Sequence, residues 1–283
     1  MLLCFHVFMM AVVLKRTDFR EFDQMISVYT KDKGKLILLA RGVKKITSKN
    51  AAHLEPFCFV MIEVAPGREI DHLTKVVSID LFVNSRRDFD KSLAASYAVS
   101  LLDKLTEVGE PDRKIWEATL SWLRHLEKLD NLDNLVALVD SYTVTLLYCL
   151  GFKPILDRCV VCGKTFQDMV KQQLECQVSS VPPVRQAGKC QMSGLYFAGG
   201  GLICPVCFIT KQKIGEEIAA CGLKEISVMQ MLLTGNWRKV AAFELPEKEK
   251  TAVHRLVLEY ARYHSERRVG DWVLSIAPNK LEK

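Results

Sequence analysis

The chain has 283 residues, of which 49% are hydrophobic and 25% are charged. This composition excludes a largely disordered chain, and the length favours two folded domains over one. The net charge of +6, from 39 basic and 33 acidic residues, suits an anionic partner without requiring one.

The N-terminal segment is apolar but differs from a signal peptide. Residues 1–14 contain no Lys, Arg, Asp or Glu, whereas a signal peptide begins with basic residues. The segment is also shorter than the roughly 20 residues that span a bilayer. We therefore expect a cytoplasmic protein with no membrane contact, whose ten cysteines are reduced. Residues 1–10 are predicted to be either an extension or an additional strand segment, and a strand is expected from about Ala11.

The first 85 residues have the pattern of a small β-domain. Segments rich in β-branched and aromatic residues alternate with turn signals such as Lys31–Gly34 and Pro66-Gly67. The predicted strands are Ala11–Lys15, Met25–Thr30, Lys35–Ala40, Phe57–Ala65 and Thr74–Val83. Five short strands favour an OB-fold barrel, with another small barrel or a sandwich as the alternative.

After the strands, apolar residues recur at helical spacing. The periodic sets are Leu93, Tyr97, Leu101 and Leu105, then Trp116, Leu120, Leu123 and Leu126, then Leu135, Val139, Tyr142 and Leu146, followed by helical patterns over 223–233 and 248–263. The segment from Cys159 to Cys207 lacks this periodicity and is predicted to be rich in loops. The expected fold is α+β and multidomain: an N-terminal five-stranded OB-fold β-barrel (1–85), then a mostly α-helical domain (86–283) with an inserted four-cysteine zinc module (155–212).

Two Cys-x-x-Cys pairs, Cys159/Cys162 and Cys204/Cys207, predict one structural zinc ion. Each pair places two thiolates on one side of a tight turn, and two facing pairs complete a tetrahedral site. The 41 residues between the pairs exceed the usual zinc-ribbon spacing of about 15–20. Cys176 lies in this gap and is an alternative ligand, as is Cys190.

Other interpretations of the cysteines have less support. A thioredoxin-like redox pair would accompany a βαβ unit, which the pattern lacks. A nucleobase deaminase would need His-x-Glu followed by Pro-Cys-x-x-Cys. His53-Leu54-Glu55 lies far upstream on the β-domain, and Pro205 is inside the second pair. The chain also has no Walker-type phosphate loop and no recognisable nucleophile–base set, so we expect no enzymatic activity.

The stretch between Asp32 and Glu55 contains basic residues but no acidic ones. Its basic residues are Lys33, Lys35, Arg41, Lys44, Lys45 and Lys49, whose summed charge equals the +6 of the whole chain. Such a strip on a barrel predicts contacts with the phosphates of DNA, with a solvated loop that has no partner as the alternative. Three aromatic residues are candidates for base stacking or, alternatively, for the barrel core: Tyr29, Phe57 and Phe59.

The order of these features resembles the RecO family of bacterial recombination mediators. The matching segments are 13–23, 29–45, 54–57, 146–154, 159–163 and 197–207. The stretch from Tyr29 to Lys45, which ends in ARGVKK, is the most recognisable of them. The likeness runs from about residue 11 onward, while residues 1–10 fall outside it and 168–194 are less familiar.

The resemblance implies a bacterial, nucleoid-associated DNA-repair protein that is not an enzyme. RecO-like proteins bind single- and double-stranded DNA, anneal complementary strands and, with RecR and often RecF, load RecA onto strands coated by single-strand-binding protein. Their helical domain also docks the acidic C-terminal tail of that coating protein. The DNA-contact candidates carried over to this sequence are Lys35, Arg41, Lys44 and Lys45, with Lys33 and Lys49 as additions. Candidate partners for the acidic tail are Arg255, Arg262, Arg267 and Arg268.

Two alternative functions stay open. One is a zinc-dependent nucleic-acid-modifying enzyme, whose zinc would have an open position not filled by cysteine. The other is a protein–protein adaptor without DNA affinity, which would lack the steep salt dependence of phosphate contacts.

Overall fold

A computed structural model of the protein describes residues 7–178, 193–265 and 269–273, without the side chains of 175–178. The chain divides into two compact units. We call Met1–Leu132 with Gly270–Lys283 the barrel unit, and Asp133–Val269 the helical unit. Among the described residues, no helix combines the length and the apolar character that crossing a membrane requires.

The N-terminal strands form a closed barrel, as the sequence predicts. The strands are β1 (Val7–Asp18), β2 (Gln24–Thr30), β3 (Gly34–Ala40), β4 (Phe59–Ala65) and β5 (His72–Asp80), and their order around the barrel is β1-β2-β3-β5-β4. The pairs β1–β2, β1–β4, β2–β3 and β4–β5 are antiparallel, and a parallel bridge between Leu39 and His72 closes the barrel.

Strand alternation fills the barrel interior. Along β4, Val60, Ile62 and Val64 point inward and join the buried core, because successive side chains of a strand point to opposite faces. The start of β1 pairs with the same strand, from Val7 opposite Val64 to Met10 opposite Met61. Residues 7–10 are therefore a strand segment, and residues 1–6 lie outside the described residues.

Besides a short 3-10 helix at Ala51–His53, the described part of the barrel unit contains three α-helices: α1 (Val83–Arg87), α2 (Phe89–Leu105) and α3 (Arg113–Glu127). Asp88 caps α2 by accepting a hydrogen bond from the amide of Lys91, and Asp112 caps α3 in the same way. The last strand of the barrel ends at Asp80 and α1 begins at Val83, so the predicted boundary after residue 85 falls within α1. The compact unit itself continues to Leu132, because α2 packs against β1 and β2.

The helical unit surrounds a central helix. Its elements are α4 (Leu135–Cys149), α5 (Phe166–Val178), β6 (Ser193–Tyr196), β7 (Gly201–Ile203), α6 (Pro205–Gln212), β8 (Ile218–Cys221), α7 (Leu223–Leu232), α8 (Trp237–Ala242) and α9 (Glu247–His264). Eleven of the fifteen residues of α4 are buried, and it packs against α7, α8 and α9. The predicted helices are confirmed, but the segment expected to be rich in loops contains α5, β6, β7 and the start of α6.

Candidate metal centre and candidate DNA-binding surface

Four cysteine sulfurs from two distant segments converge in the helical unit. The Sγ atoms of Cys159, Cys162, Cys204 and Cys207 all lie within 4.8 Å of one another. The Sγ atoms of Cys162 and Cys204 are 3.7 Å apart. A tetrahedral zinc–thiolate site with Zn–S bonds of about 2.3 Å separates its sulfurs by about 3.8 Å. The donor set and the spacing therefore fit one tetrahedral metal ion.

Strand β7 brings the two cysteine pairs together across the long gap in sequence. The amide of Leu202 donates to the carbonyl of Ile155 over 2.8 Å, and the amide of Val160 donates to the carbonyl of Leu202 over 2.9 Å. The first pair is thereby fixed beside β7, and Cys204 follows directly after that strand. Gly163 has a φ of +76°, a conformation that glycine adopts freely, and it closes the turn of the first pair.

Backbone amides stabilise one thiolate of the cluster. Burial opposes ionisation of Cys159, but hydrogen bonds from the backbone of Cys162, Cys204 and Val161 lower its pKa to about 7. The amide nitrogen of Cys204 lies 3.3 Å from the sulfur of Cys159. Burial raises the pKa of Cys204 and of Cys207. A bound cation would favour the ionised form of all four thiols, which is the form that ligates metals.

The sequence offered two alternative ligands in the gap between the cysteine pairs. Cys190 lies outside the described residues, and the side chain of Cys176 is also outside the description. Among the side chains that the structure describes, the four cysteines predicted from their spacing are brought together.

The structure removes Lys35 from the candidate DNA contacts. Its side chain is 8% exposed, and its Nζ atom lies 3.0 Å from a carboxylate oxygen of Asp103. The same ammonium group donates to the carbonyls of Asp103 and Thr106. A lysine buried in this way joins β3 to α2 and cannot reach a phosphate, so the expectation for Lys35 is corrected.

The other predicted contacts lie on the surface of the barrel unit. Lys33, Arg41, Lys44, Lys45 and Lys49 are all exposed. Four of these residues belong to the segment 41–49 that follows β3, which we call the basic loop. Lys44 places its Nζ atom 2.9 Å from a carboxylate oxygen of Asp18, an exposed ion pair that contributes little to stability.

The three aromatic candidates for base stacking are buried. Tyr29, Phe57 and Phe59 are 1%, 2% and 3% exposed. The guanidinium of Arg86 lies over the ring of Phe57, and the ring of Phe59 meets Trp116 of α3 edge-on. These residues belong to the core of the barrel unit, which was the stated alternative.

The turn between β1 and β2 carries two exposed phenylalanines that the sequence analysis did not single out. Phe19 is 46% exposed and Phe22 is 44% exposed. Both lie in residues 19–23 between β1 and β2, which we call the aromatic turn. The sequence RTDFREFD contained the signal, because its two phenylalanines are surrounded by charged residues, which disfavour burial of the segment.

Together, the closed five-stranded barrel, the helices after it and the cluster of cysteines define a class: a small OB-like barrel joined to a helical unit that could hold a metal ion. Residues 7–82 match the family model described as recombination protein O N terminal, and residues 86–188 match the one described as recombination protein O C terminal. The chain belongs to the RecO family of DNA repair proteins. Because the match begins at residue 7, the predicted limit of the resemblance near residue 11 was too late.

Curated relatives agree with this assignment. The chain is similar to the DNA repair protein RecO of Syntrophomonas wolfei, with 34% identity over 154 residues that cover 54% of this chain and 60% of the relative. That alignment therefore spans less than two thirds of the relative. The RecO protein of Desulforamulus reducens is 28% identical over 92% of this chain and 90% of the relative. The RecO protein of Caldanaerobacter subterraneus is 25% identical over 90% of this chain and 92% of the relative.

Proposed function

We propose that the protein is a recombination mediator that binds single- and double-stranded DNA and anneals complementary strands. With RecR, and with RecF where it takes part, it helps to load RecA onto strands coated by single-strand-binding protein. Membership of the RecO family carries this proposal. The exposed cations of the basic loop give it a physical basis, since lysine and arginine bind phosphates and release counterions.

Annealing by this protein requires no nucleotide hydrolysis. Two DNA strands repel each other through their phosphates, and a basic surface that neutralises both lowers this repulsion. Complementary bases can then find one another. The work of the protein is therefore electrostatic, and it depends on the exposed residues Arg41, Lys44 and Lys45.

A variant of the basic loop tests the proposal. Arg41→Gln/Lys44→Gln/Lys45→Gln removes three positive charges. We expect weaker DNA binding, slower annealing and a salt slope of log K that is shallower by about 2, because each lost phosphate contact on a single strand removes about 0.7. Binding is measured with a labelled oligonucleotide at several salt concentrations.

The matched control removes the same charge from another part of the barrel unit. Lys75→Gln/Lys114→Gln/Lys128→Gln alters three exposed lysines outside the basic loop. Equal losses in the two variants would mean that net charge, and not the basic loop, governs binding. Wild-type protein that does not bind the oligonucleotide at any salt concentration would favour the adaptor without DNA affinity.

For the cysteine cluster we propose one structural zinc ion held by Cys159, Cys162, Cys204 and Cys207. The sulfur donor set and the tetrahedral spacing support zinc. Metal analysis of the purified protein should find one zinc per chain, and X-ray absorption should find four sulfur ligands. A nitrogen or oxygen ligand in place of a sulfur would favour the alternative of a zinc enzyme.

The acidic tail of single-strand-binding protein is proposed to dock on the helical domain, residues 86–283. Of its candidate partners, Arg255 and Arg262 lie on α9. The guanidinium of Arg262 donates to the carbonyl of Val269 over 3.0 Å, while Arg267 and Arg268 lie outside the described residues. This assignment is tested by titrating the wild-type protein and Arg255→Gln with a peptide of the tail sequence. Arg255→Gln should bind the peptide more weakly. Location in the bacterial cytoplasm, on the nucleoid, follows from the same proposal.

A further inference from the structure

The aromatic turn exposes two phenylalanine rings, and hydrogen bonds between its own backbone groups close the turn that carries them. The amide of Phe19 donates to the carbonyl of Asp23 over 3.2 Å, and the amide of Asp23 donates to the carbonyl of Arg20 over 3.3 Å. Isolated apolar residues are common on protein surfaces, so exposure alone gives these rings no role. What distinguishes them is the charge placed around them.

A cation lies over each ring. The guanidinium carbon of Arg20 is 5.0 Å from the ring centre of Phe19, and the Nζ atom of Lys45 is 5.5 Å from that of Phe22. Cations at this distance are attracted by the negative face of the ring. Each exposed ring therefore lies beside a cation, Arg20 of the aromatic turn or Lys45 of the basic loop.

Hydrogen bonds attach the aromatic turn to the basic loop. The amide of Gly42 donates to a carboxylate oxygen of Asp23 over 2.8 Å. The amide of Lys44 donates to the carbonyl of Phe22 over 3.1 Å. One contact joins two backbone groups and the other joins a backbone amide to the carboxylate of Asp23, so the backbone of the aromatic turn is held beside Arg41 and Lys44.

We infer that Phe19 and Phe22 form a stacking platform for the bases of single-stranded DNA, while the basic loop holds the phosphates. This inference rests on the proposed DNA-binding function and adds the group that is recognised. Aromatic rings beside a basic groove bind single strands by stacking, which is insensitive to base sequence. A duplex has no free base faces to offer, so the platform favours single strands over duplex.

The experiment separates bases from phosphates. One probe is an oligothymidylate of about 16 nucleotides, the upper site size of one OB-fold. The second is an abasic oligonucleotide of equal length, which has the same phosphates and no bases. The third is a polyglutamate peptide, which tests whether the surface accepts an acidic protein segment instead.

Phe19→Ala/Phe22→Ala is compared with Phe19→Trp/Phe22→Trp, which keeps the stacking surface. The control is Phe8→Ala/Phe89→Ala, since these phenylalanines are 61% and 71% exposed in the same unit and lie outside the aromatic turn. We expect the alanine pair to lose at least about fivefold in affinity for oligothymidylate per position. Affinity for the abasic probe and the salt slope should not change, and the tryptophan pair and the control should bind as wild type does.

Each other outcome has a defined meaning. If wild type binds neither oligonucleotide, the proposed DNA-binding function fails. If wild type binds both equally, or if the alanine pair loses both equally, DNA binding stands and the stacking inference is overturned. It is also overturned if the alanine pair loses only the polyglutamate peptide, because the occupant would then be an acidic protein segment.

Discussion

At the residue scale, Glu127 of α3 holds the N-terminus of α1. Its two carboxylate oxygens accept hydrogen bonds from the amides of Asn84 and Ser85, over 2.9 and 2.8 Å, and from the hydroxyl of Ser85 over 2.8 Å. Burial opposes ionisation of Glu127, but these donors lower its pKa below the usual range. We expect Glu127→Gln to reduce the free energy of unfolding of the barrel unit by about 1–3 kcal/mol at neutral pH.

The pH dependence of this difference follows from the lowered pKa of Glu127. A carboxylate whose pKa is lower in the folded state stabilises the fold above its unfolded pKa, and this contribution is lost as pH falls through the folded pKa. The difference in the free energy of unfolding between wild type and Glu127→Gln should therefore decrease below about pH 4. Denaturant unfolding at several pH values measures it. Glu117→Gln, which removes an exposed partner of Arg113, is the control and should cost less than about 1 kcal/mol at any pH.

Residue roles could be predicted where local spacing fixes the chemistry. The four cysteines were found because Cys-x-x-Cys carries its ligand geometry within one turn. Lys35 was misassigned because its burial depends on Asp103, 68 residues away. The sequence left base stacking and core burial open for Phe57 and Phe59, because helices cover the side of the barrel that faces away from its interior, where Phe59 meets Trp116. The local sequence of a strand does not indicate whether helices pack on its outer face.

At the scale of elements, β7 controls the geometry of the cysteine cluster. A Cβ atom added at Gly201 would lie 2.2 Å from the carbonyl oxygen of Ile155, which is backbone and cannot turn away. Gly201→Ala should therefore force β7 away from the segment that carries Cys159. We expect faster loss of the proposed zinc to a chelator, measured with a chromogenic zinc dye. Gly222→Ala is the matched control, because it lies in the same unit with a φ of −86°, which suits alanine, and the added Cβ would meet only the flexible side chain of Glu225. Equal zinc release from the two variants would contradict the role given to β7.

Elements could be predicted where they are long and periodic. Helices α2, α3, α4, α7 and α9 follow apolar spacing over ten or more residues, and the structure has them. Strands β6, β7 and β8 have four, three and four residues, which is too short for an alternating pattern to be recognised. Their pairing joins segments distant in sequence, such as Gly194 with Ala220. Such sheets are specified by contacts between distant segments, which cannot be predicted from the local sequence pattern.

At the scale of the whole molecule, the two candidate sites belong to different compact units. The basic loop and the aromatic turn lie in Met1–Leu132, while Cys159 and Cys204 with their partners lie in Asp133–Val269. Proteins built from several units often unfold in more than one step. A structural metal contributes directly to the folding free energy of the unit that binds it. Metal removal and barrel mutations should therefore act on different transitions.

We expect calorimetry to resolve two unfolding transitions, of which a chelator lowers only the one that belongs to the helical unit. Glu127→Gln should lower only the other transition, because its contacts with Asn84 and Ser85 lie in the barrel unit. The affinity for oligothymidylate should survive chelation nearly unchanged, since the basic loop takes no part in holding the metal. A control with excess zinc should restore the first transition. Loss of DNA affinity together with zinc would show that the metal supports the DNA-binding surface, and a single transition moved by both changes would show that the units unfold as one.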